Sequence, residues 1–224
     1  MNTRQCFQSH NELIDSLSIS LRLQNKMKQV DRYYFCIKKQ ESYCDKPSLL
    51  FDGQTISAPH MHAQALKLLQ SQLKPGNCVL DVGSGSGYLV ACFSEMVNVY
   101  SPIKRGKVIG LEIHPGLVSY SLDVLEKNMP HLFTYPLACQ IKQGSGWNGY
   151  PKKKYKQIYD AIHIGASCDE IPPMLFHQLK INGLMVLPLY FEGKGHIFCK
   201  VKKINKKQYT IHKYMNVRYV PLHK

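Results

Sequence analysis

Asp81, the three glycines Gly83, Gly85 and Gly87, and Glu112 are the residues of this chain whose types and spacing could do chemistry. The run Val79-Leu80-Asp81-Val82-Gly83-Ser84-Gly85-Ser86-Gly87-Tyr88 reads as a buried parallel strand that ends in an acid and opens into a glycine-rich turn. Glycine reaches positive φ without a steric penalty and lets a ligand lie against bare backbone. Ser86 and Gly87 then open a helix whose first N–H groups are unpaired and point at the ligand. The chemistry implied is the cradling of a nucleotide-sized cofactor.

Spacing and charge choose among the cofactors that use such turns. The dinucleotide fingerprint needs two residues between its second and third glycines, and only Ser86 separates Gly85 from Gly87; no Gly-Lys-Ser/Thr follows to make a phosphate loop. Asp81 would repel a pyrophosphate but suits the cationic amino group of a methionine moiety. A second strand, Lys107-Val108-Ile109-Gly110-Leu111-Glu112, ends in an acid placed to accept hydrogen bonds from both ribose hydroxyls. Together these features favour S-adenosyl-L-methionine over a glycine turn and strand-end carboxylate that hold no ligand.

The elements that position these residues follow from periodicity. Strands are expected near 78–82, 107–112, 138–142, 158–164, 184–189 and 197–204, alternating with helices near 86–97, 115–128 and 171–179. That alternation implies an α/β fold with a doubly wound, mostly parallel, Rossmann-like sheet. The stretch 197–220 has no helix between its strands, which implies an antiparallel hairpin at one edge. Upstream, residues 10–40 read as largely helical, with Leu13, Ile14, Leu17 and Leu21 on one apolar face, and Met61 to Leu73 as another helix. One domain over 1–224 is expected, with 1–75 as a helical cap and active-site loop and 76–224 as the cofactor-binding sheet and substrate-binding C-terminal strands.

Composition bounds the function classes. At 224 residues and 44% hydrophobic content there is material for one sizeable core. No apolar run has the length of a membrane span, and the start Met1-Asn2-Thr3-Arg4-Gln5-Cys6 lacks a secretory apolar stretch; a soluble, cytosolic monomer is expected. The eight cysteines, Cys6, Cys36, Cys44, Cys78, Cys92, Cys139, Cys168 and Cys199, form no Cys-x-x-Cys pair, so neither zinc nor a disulfide framework is expected. Lys plus Arg number 29 against 15 Asp plus Glu, a net +14, concentrated around Lys152 to Lys156 and Lys200 to Lys207. These lysines, without an arginine fork, favour a solvated surface over a nucleic-acid groove.

Four segments carry a family resemblance: Thr55-Ile56-Ser57-Ala58-Pro59-His60-Met61-His62-Ala63, the Asp81 to Gly87 turn, Tyr159-Asp160-Ala161-Ile162-His163-Ile164-Gly165-Ala166, and Tyr219-Val220-Pro221-Leu222. From about Ser9 to the C-terminus the chain resembles the protein-L-isoaspartate (D-aspartate) O-methyltransferases, Thr-Ile-Ser-Ala-Pro-His-Met being the most specific segment. The resemblance implies methyl transfer from S-adenosyl-L-methionine to the free α-carboxylate of L-isoaspartyl and D-aspartyl residues in peptides and proteins. It implies that Ser57 is the active-site serine. It implies cofactor contacts from Gln54, Thr55, Ile56, Ser57, His62, Asp81, Gly83, Ser84, Gly85, Ser86 and Gly87, from Glu112 at the ribose, Ile113 against the adenine, and Ser145 and Gly146. Substrate contacts are implied for Ala58, Pro59, His60, Ile164, Gly165, Ala166, Tyr219, Val220 and Pro221. No metal is implied.

Read as residues alone, Ser57 keeps a second meaning, because a serine before Ala58-Pro59 and a helical pattern commonly caps backbone N–H groups. His60 is open between loop support and substrate contact. Three departures from the family's pattern also stand out: Gly144-Ser145-Gly146 where the family has Gly-Asp-Gly, an altered segment Asp45 to Gly53 before the Thr-Ile-Ser run, and an end at His223-Lys224 where relatives continue. They motivate a runner-up, a weakly active or inactive cofactor-binding paralogue acting as an adaptor. A methyltransferase acting on nucleic acid, motivated by the charge alone, ranks last.

Overall fold

The computed structural model describes residues 5–151 and 157–223; the expected lysine cluster at Lys152 to Lys156 lies outside the described residues. Three short helices come first, α1 (His10–Asp15), α2 (Leu21–Lys28) and α3 (Arg32–Phe35). A two-stranded antiparallel ribbon, β1 (Ser48–Leu49) and β2 (Thr55–Ile56), leads into α4 (Pro59–Leu69). Then follow β3 (Cys78–Val82), α5 (Tyr88–Val97), β4 (Lys107–Glu112), α6 (Pro115–Asn128), β5 (Cys139–Gln143), β6 (Tyr159–Ile164), α7 (Pro173–Gln178), β7 (Leu179–Phe191), β8 (Gly195–Lys203) and β9 (Tyr209–Asn216).

The main sheet has the order β5-β4-β3-β6-β7-β8-β9. β5, β4, β3, β6 and β7 pair in parallel, and β8 and β9 add antiparallel strands at one edge. The expected fold class is therefore observed, with the edge hairpin enlarged to a meander because β7 runs well past the 184–189 stretch. β3 is flanked by β4 on one side and β6 on the other, so the chain reverses its winding direction there, and a crevice opens beyond the carboxyl ends of these strands.

β3 shows how alternation serves the site. Val79 packs with Phe93 and Val108 on one face, while Leu80 and Val82 pack with Ile109 and Ile162 on the other. Side chains alternate along a strand, so Asp81 emerges on the Val79 face, towards α4 and α5. It does so at the last turn of the strand, where the crevice begins.

Local signals account for the differences from the expected elements. The helical stretch over 10–40 breaks into three because Ser9 and Asp31 cap new helices through Glu12 and Tyr33 backbone N–H groups. The helix expected from 86 starts at Tyr88, since Gly87 takes φ +84° as the preceding cap, a conformation that glycine tolerates best. Cys6 and Cys44 form a disulfide, a correction to the expectation that the cysteines form none; the remaining six are free, five of them buried. Lys203 is a further correction to the solvated lysine surface: it is 2% exposed and donates to the carbonyls of Phe176 (2.6 Å) and Leu179 (2.7 Å), capping the end of α7 with a cation.

Candidate active site

The glycine turn is locked by its own backbone. Gly83 and Ser84 N–H groups donate to Leu111 O at 2.8 and 3.2 Å, Gly165 N–H donates to Val82 O at 2.8 Å, and Gly87 N–H donates to Ser84 O at 2.9 Å. β3, β4 and the end of β6 thus converge on one loop. A side chain at Gly87 would meet Leu125 at 3.1 Å and Ser121 at 3.2 Å, so glycine there serves both the turn and the packing of α6.

Glu112 closes the far side of this loop. Its Oε2 accepts from Gly85 N–H at 2.9 Å, and its Oε1 accepts from Ile113 and His114 N–H at 2.8 and 3.0 Å. A carboxylate offers roughly four lone-pair sites, so about one remains for a ligand hydroxyl. The expectation that Glu112 takes both ribose hydroxyls is narrowed to one unless a backbone donor lets go.

Two chambers open over this frame. The outer one encloses about 580 Å³, within the range of small-molecule sites. Gln54, Ala58, His60, Glu112, Ile113, Ser145, Gly146, Ala166, Tyr219, Val220 and Pro221 line it. The inner one, about 50 Å³, is lined by Ile56, His62, Asp81, Ser84 and Ser86. Space of that size holds about three or four water-sized groups, enough for an ammonium and a carboxylate. Thr55, Ser57, Gly83, Gly85 and Gly165 line both chambers, which puts Ser57 at the junction. Three expected contacts stand outside the walls: Pro59 is the buried first residue of α4, Gly87 the buried cap of α5, and Ile164 is wholly buried in the core under β6.

Ser57 does not cap α4. The cap position is Ala58, without a side-chain bond, and Asp45 supplies the acceptor instead, its Oδ1 taking the His60 backbone N–H at 2.9 Å and the His60 ring Nδ1 at 2.8 Å. The capping meaning of Ser57 thus falls away. Burial pushes the phenol of Tyr219 up in pKa, and the Ser57 side chain draws it partly back. The bond with Asp45 raises His60 above its ordinary pKa against the opposing effect of burial.

The inner chamber is polar and asymmetric. Asp81 Oδ1 accepts from His163 Nδ1 at 2.6 Å, both side chains being nearly inaccessible; Asp81 and His163 are direct partners across β3 and β6. The sequence reading named His163 only within the Tyr159 to Ala166 segment and did not foresee its bond to Asp81, although its place one strand over was a signal that register alone could have supplied. Across the chamber His62 packs at 4.9 Å on Tyr88. Burial, reinforced by the charge of Arg32, holds the His62 imidazole well below its ordinary pKa, so the ring is neutral. Ser84 Oγ is buried with no hydrogen-bond partner, which is what a wall awaiting a ligand's polar group shows.

The C-terminal stretch forms the opposite wall. Ser167 N–H donates to Val220 O and Leu222 N–H donates to Ser167 O, each at 2.8 Å. Part of the backbone that resemblance would leave for a peptide is therefore already used. Ser145 Oγ donates to His223 O at 2.9 Å, and a side chain on Gly146 would strike Val82 Cγ1 at 2.1 Å. Serine at 145 ties the tail over the cavity through a donor, which a carboxylate could not provide. Met215, Asn216, Val217 and Arg218 also line the outer chamber; Val217 and Arg218 belong to the C-terminal stretch expected to bind substrate, while Met215 and Asn216 were missed, because nothing in their types marks them apart from a strand end.

Residues 8–224 match the model of the family described as protein-L-isoaspartate(D-aspartate) O-methyltransferase (PCMT). Protein-L-isoaspartate O-methyltransferase 1 of Arabidopsis thaliana is 40% identical over 199 residues, 88% of this chain and 81% of that protein. The Caenorhabditis elegans protein-L-isoaspartate O-methyltransferase is 37% identical over 215 residues, covering 92% and 89%. A Plasmodium falciparum chain described as a protein-L-isoaspartate O-methyltransferase, solved in complex with S-adenosyl-L-homocysteine, superposes with TM-score 0.88 at 33% identity, covering 97% of this chain and 99% of that one. This chain belongs to the protein-L-isoaspartate(D-aspartate) O-methyltransferase family.

Proposed function

We propose that this protein transfers the methyl group of S-adenosyl-L-methionine to the free α-carboxylate of L-isoaspartyl and D-aspartyl residues in damaged proteins, opening their repair through a succinimide. The observation that carries this reading is the junction of the two chambers at Ser57. The unpartnered Ser84 Oγ, the bare glycine turn and the paired carboxylates fit the cofactor: Asp81, His62, Ser84 and Ser86 for its amino-acid head, Glu112 for the ribose, and Ile113 with Ser145 and Gly146 for the adenine. When bound, it supplies an electrophilic methyl group on a sulfonium. The residues of the chain do the rest.

An isoaspartyl carboxylate, with a pKa of about 4 in model compounds, is ionised at neutral pH and needs no general base. The protein's task is to align one carboxylate oxygen and strip it of water. Ser57, relieved of capping duty, orients that oxygen. The His60–Asp45 pair stands at the cleft rim to draw the carboxylate in. The stretch at Tyr219, Val220 and Pro221 receives substrate main chain, which suits an enzyme that must accept many sequences.

A methyl-transfer assay pairing an isoaspartyl peptide with its aspartyl isomer tests this, selective labelling of the first being the expected result. Ser57→Ala should lower kcat by about 100-fold, the scale of a lost alignment, with little change in melting temperature. Equal labelling of both peptides would sink the substrate assignment. The proposal extends to a cytosolic monomer forming one domain over 1–224, supported by two core clusters on the two faces of one sheet and by the lack, among the described residues, of a helix able to cross a membrane. Cell fractionation and sedimentation check it.

A further inference from the structure

Arg32 is the oddest group in the molecule. It is 0% exposed on the four-residue helix α3, and among the described residues it makes no ion pair with a carboxylate. Its Nε and Nη2 have no hydrogen-bond partner. The guanidinium lies 5.7 Å from the centre of the Tyr88 ring, and its Nη1 is 3.4 Å from His62 Nδ1. A buried charge left without a counter-ion is costly, and such a cost persists where something else requires it.

The contact with His62 has a chemical consequence. Arginine has only donors, so His62 Nδ1 must be the acceptor. A neutral imidazole then carries its proton on Nε2, the ring edge turned away from Arg32, and His62 lines the inner chamber beside the orphaned Ser84 hydroxyl. The chamber thus has a cationic wall, Arg32 behind His62, opposite an anionic one, Asp81 with His163. A zwitterion seated between them meets both.

We infer that Arg32 is a positioning residue for the donor's amino-acid head: it holds His62 as the Nε2–H tautomer, and the two together receive the carboxylate of the methionine moiety. This rests on the cofactor assignment above and adds to it the residue that sets affinity for one end of that cofactor. The guanidinium's missing counter-charge arrives with the ligand.

The test is calorimetric binding of S-adenosyl-L-homocysteine and of 5′-methylthioadenosine, which keeps the adenosine and thioether but lacks the amino-acid head, to the full chain and to Arg32→Met. The variant should bind S-adenosyl-L-homocysteine at least tenfold more weakly and 5′-methylthioadenosine within twofold of the parent. Its ligand-free melting temperature should hold or rise, since an unpaired buried charge has been removed. Equal losses for both ligands, as a purely structural Arg32 would give, overturn the inference, as does unchanged affinity for the first. If the variant does not fold, long-range proton–nitrogen spectra of the parent decide: the Nε2–H tautomer of His62 is expected, and the Nδ1–H form or an imidazolium overturns it. A parent chain that binds no S-adenosyl-L-homocysteine would instead defeat the cofactor reading itself.

Discussion

Asp45 decides what two neighbouring residues can do. By accepting both the His60 backbone N–H and the ring Nδ1–H, it caps α4 and leaves Ser57 to the cavity. The same bonds move two pKa values. His60 is raised above 6.5, chiefly by the side-chain bond to Asp45. Asp45 feels burial pushing it up, yet its bonds to His60 win and bring it below 3.8. The signs differ: the stability from His60 is fully present below its unfolded pKa and is lost as pH rises through the raised folded value. That from Asp45 is present above its unfolded pKa and lost as pH falls through the lowered value. Asp45→Asn keeps an oxygen for the backbone N–H but removes the charge, so the His60 ring should titrate back near its ordinary value. Ring-proton NMR across pH 5–9 checks the shift, and KM for an isoaspartyl peptide at neutral pH should rise about two- to fivefold, with kcat little changed, as exposed charge interactions are weak. A titration that does not move would remove Asp45 as the cause. None of this was legible in the sequence, because a separation of 15 positions between Asp45 and His60 hides their contact, whereas Ser57 was found through its neighbours in the Thr-Ile-Ser-Ala-Pro-His run.

At the scale of elements, the glycines of the strands matter as much as those of the turn. A side chain on Gly110, inside β4, would meet Ile141 Cδ1 at 2.6 Å, Val90 Cγ2 at 2.8 Å and Ser84 Cβ at 3.0 Å. Gly110→Ala should therefore cost about 1–3 kcal/mol by overpacking and push Ser84, hence S-adenosyl-L-homocysteine affinity, in the same direction. Gly116, in the first turn of α6, has open space around a side chain and an ordinary φ; Gly116→Ala should stabilise by up to about 1 kcal/mol. Urea midpoints of the two variants separate the cases, and the same sign for both would refute the packing account. The parallel strands were legible because doubly buried strands read as continuous apolar runs ending at Asp81 and Glu112. The broken N-terminal helices were not, since a shared apolar period over Leu13, Ile14, Leu17 and Leu21 conceals the capping residues that divide them. The inner chamber was half legible: Asp81 could be named from the turn, but His163 and Arg32 enter through strand register and through packing across α3, α4 and α5.

Charge and cysteine distribute over the whole molecule in ways that composition alone misreads. The net +14 suggests a uniformly solvated lysine surface, yet Lys203 is withdrawn into the fold to hold the end of α7. The eight cysteines suggest free thiols, yet Cys6 and Cys44 are bonded across a separation of 38 residues, a distance at which no local pattern reveals a partner. The bond reinforces backbone pairing of Phe7 N–H with Tyr43 O and of Asp45 N–H with Gln5 O, and so braces the segment that delivers Asp45 to His60. Closing a loop of that length stabilises by at most about 4 kcal/mol in the chain-entropy view. The measured gain should be smaller if this edge opens locally before the sheet unfolds. Reduction should therefore lower the urea midpoint by the equivalent of about 1–3 kcal/mol, and Cys6→Ser with Cys44→Ser should reproduce the loss and make it insensitive to reductant. Five of the other six cysteines are buried, and burial raises the pKa of Cys139 to about 11 and of Cys168 to about 12, so they contribute little thiolate chemistry to the response. A midpoint indifferent to reductant in the parent chain would show that the bond does not brace this edge, and the hold of Asp45 on His60 would then have to rest on α4 alone.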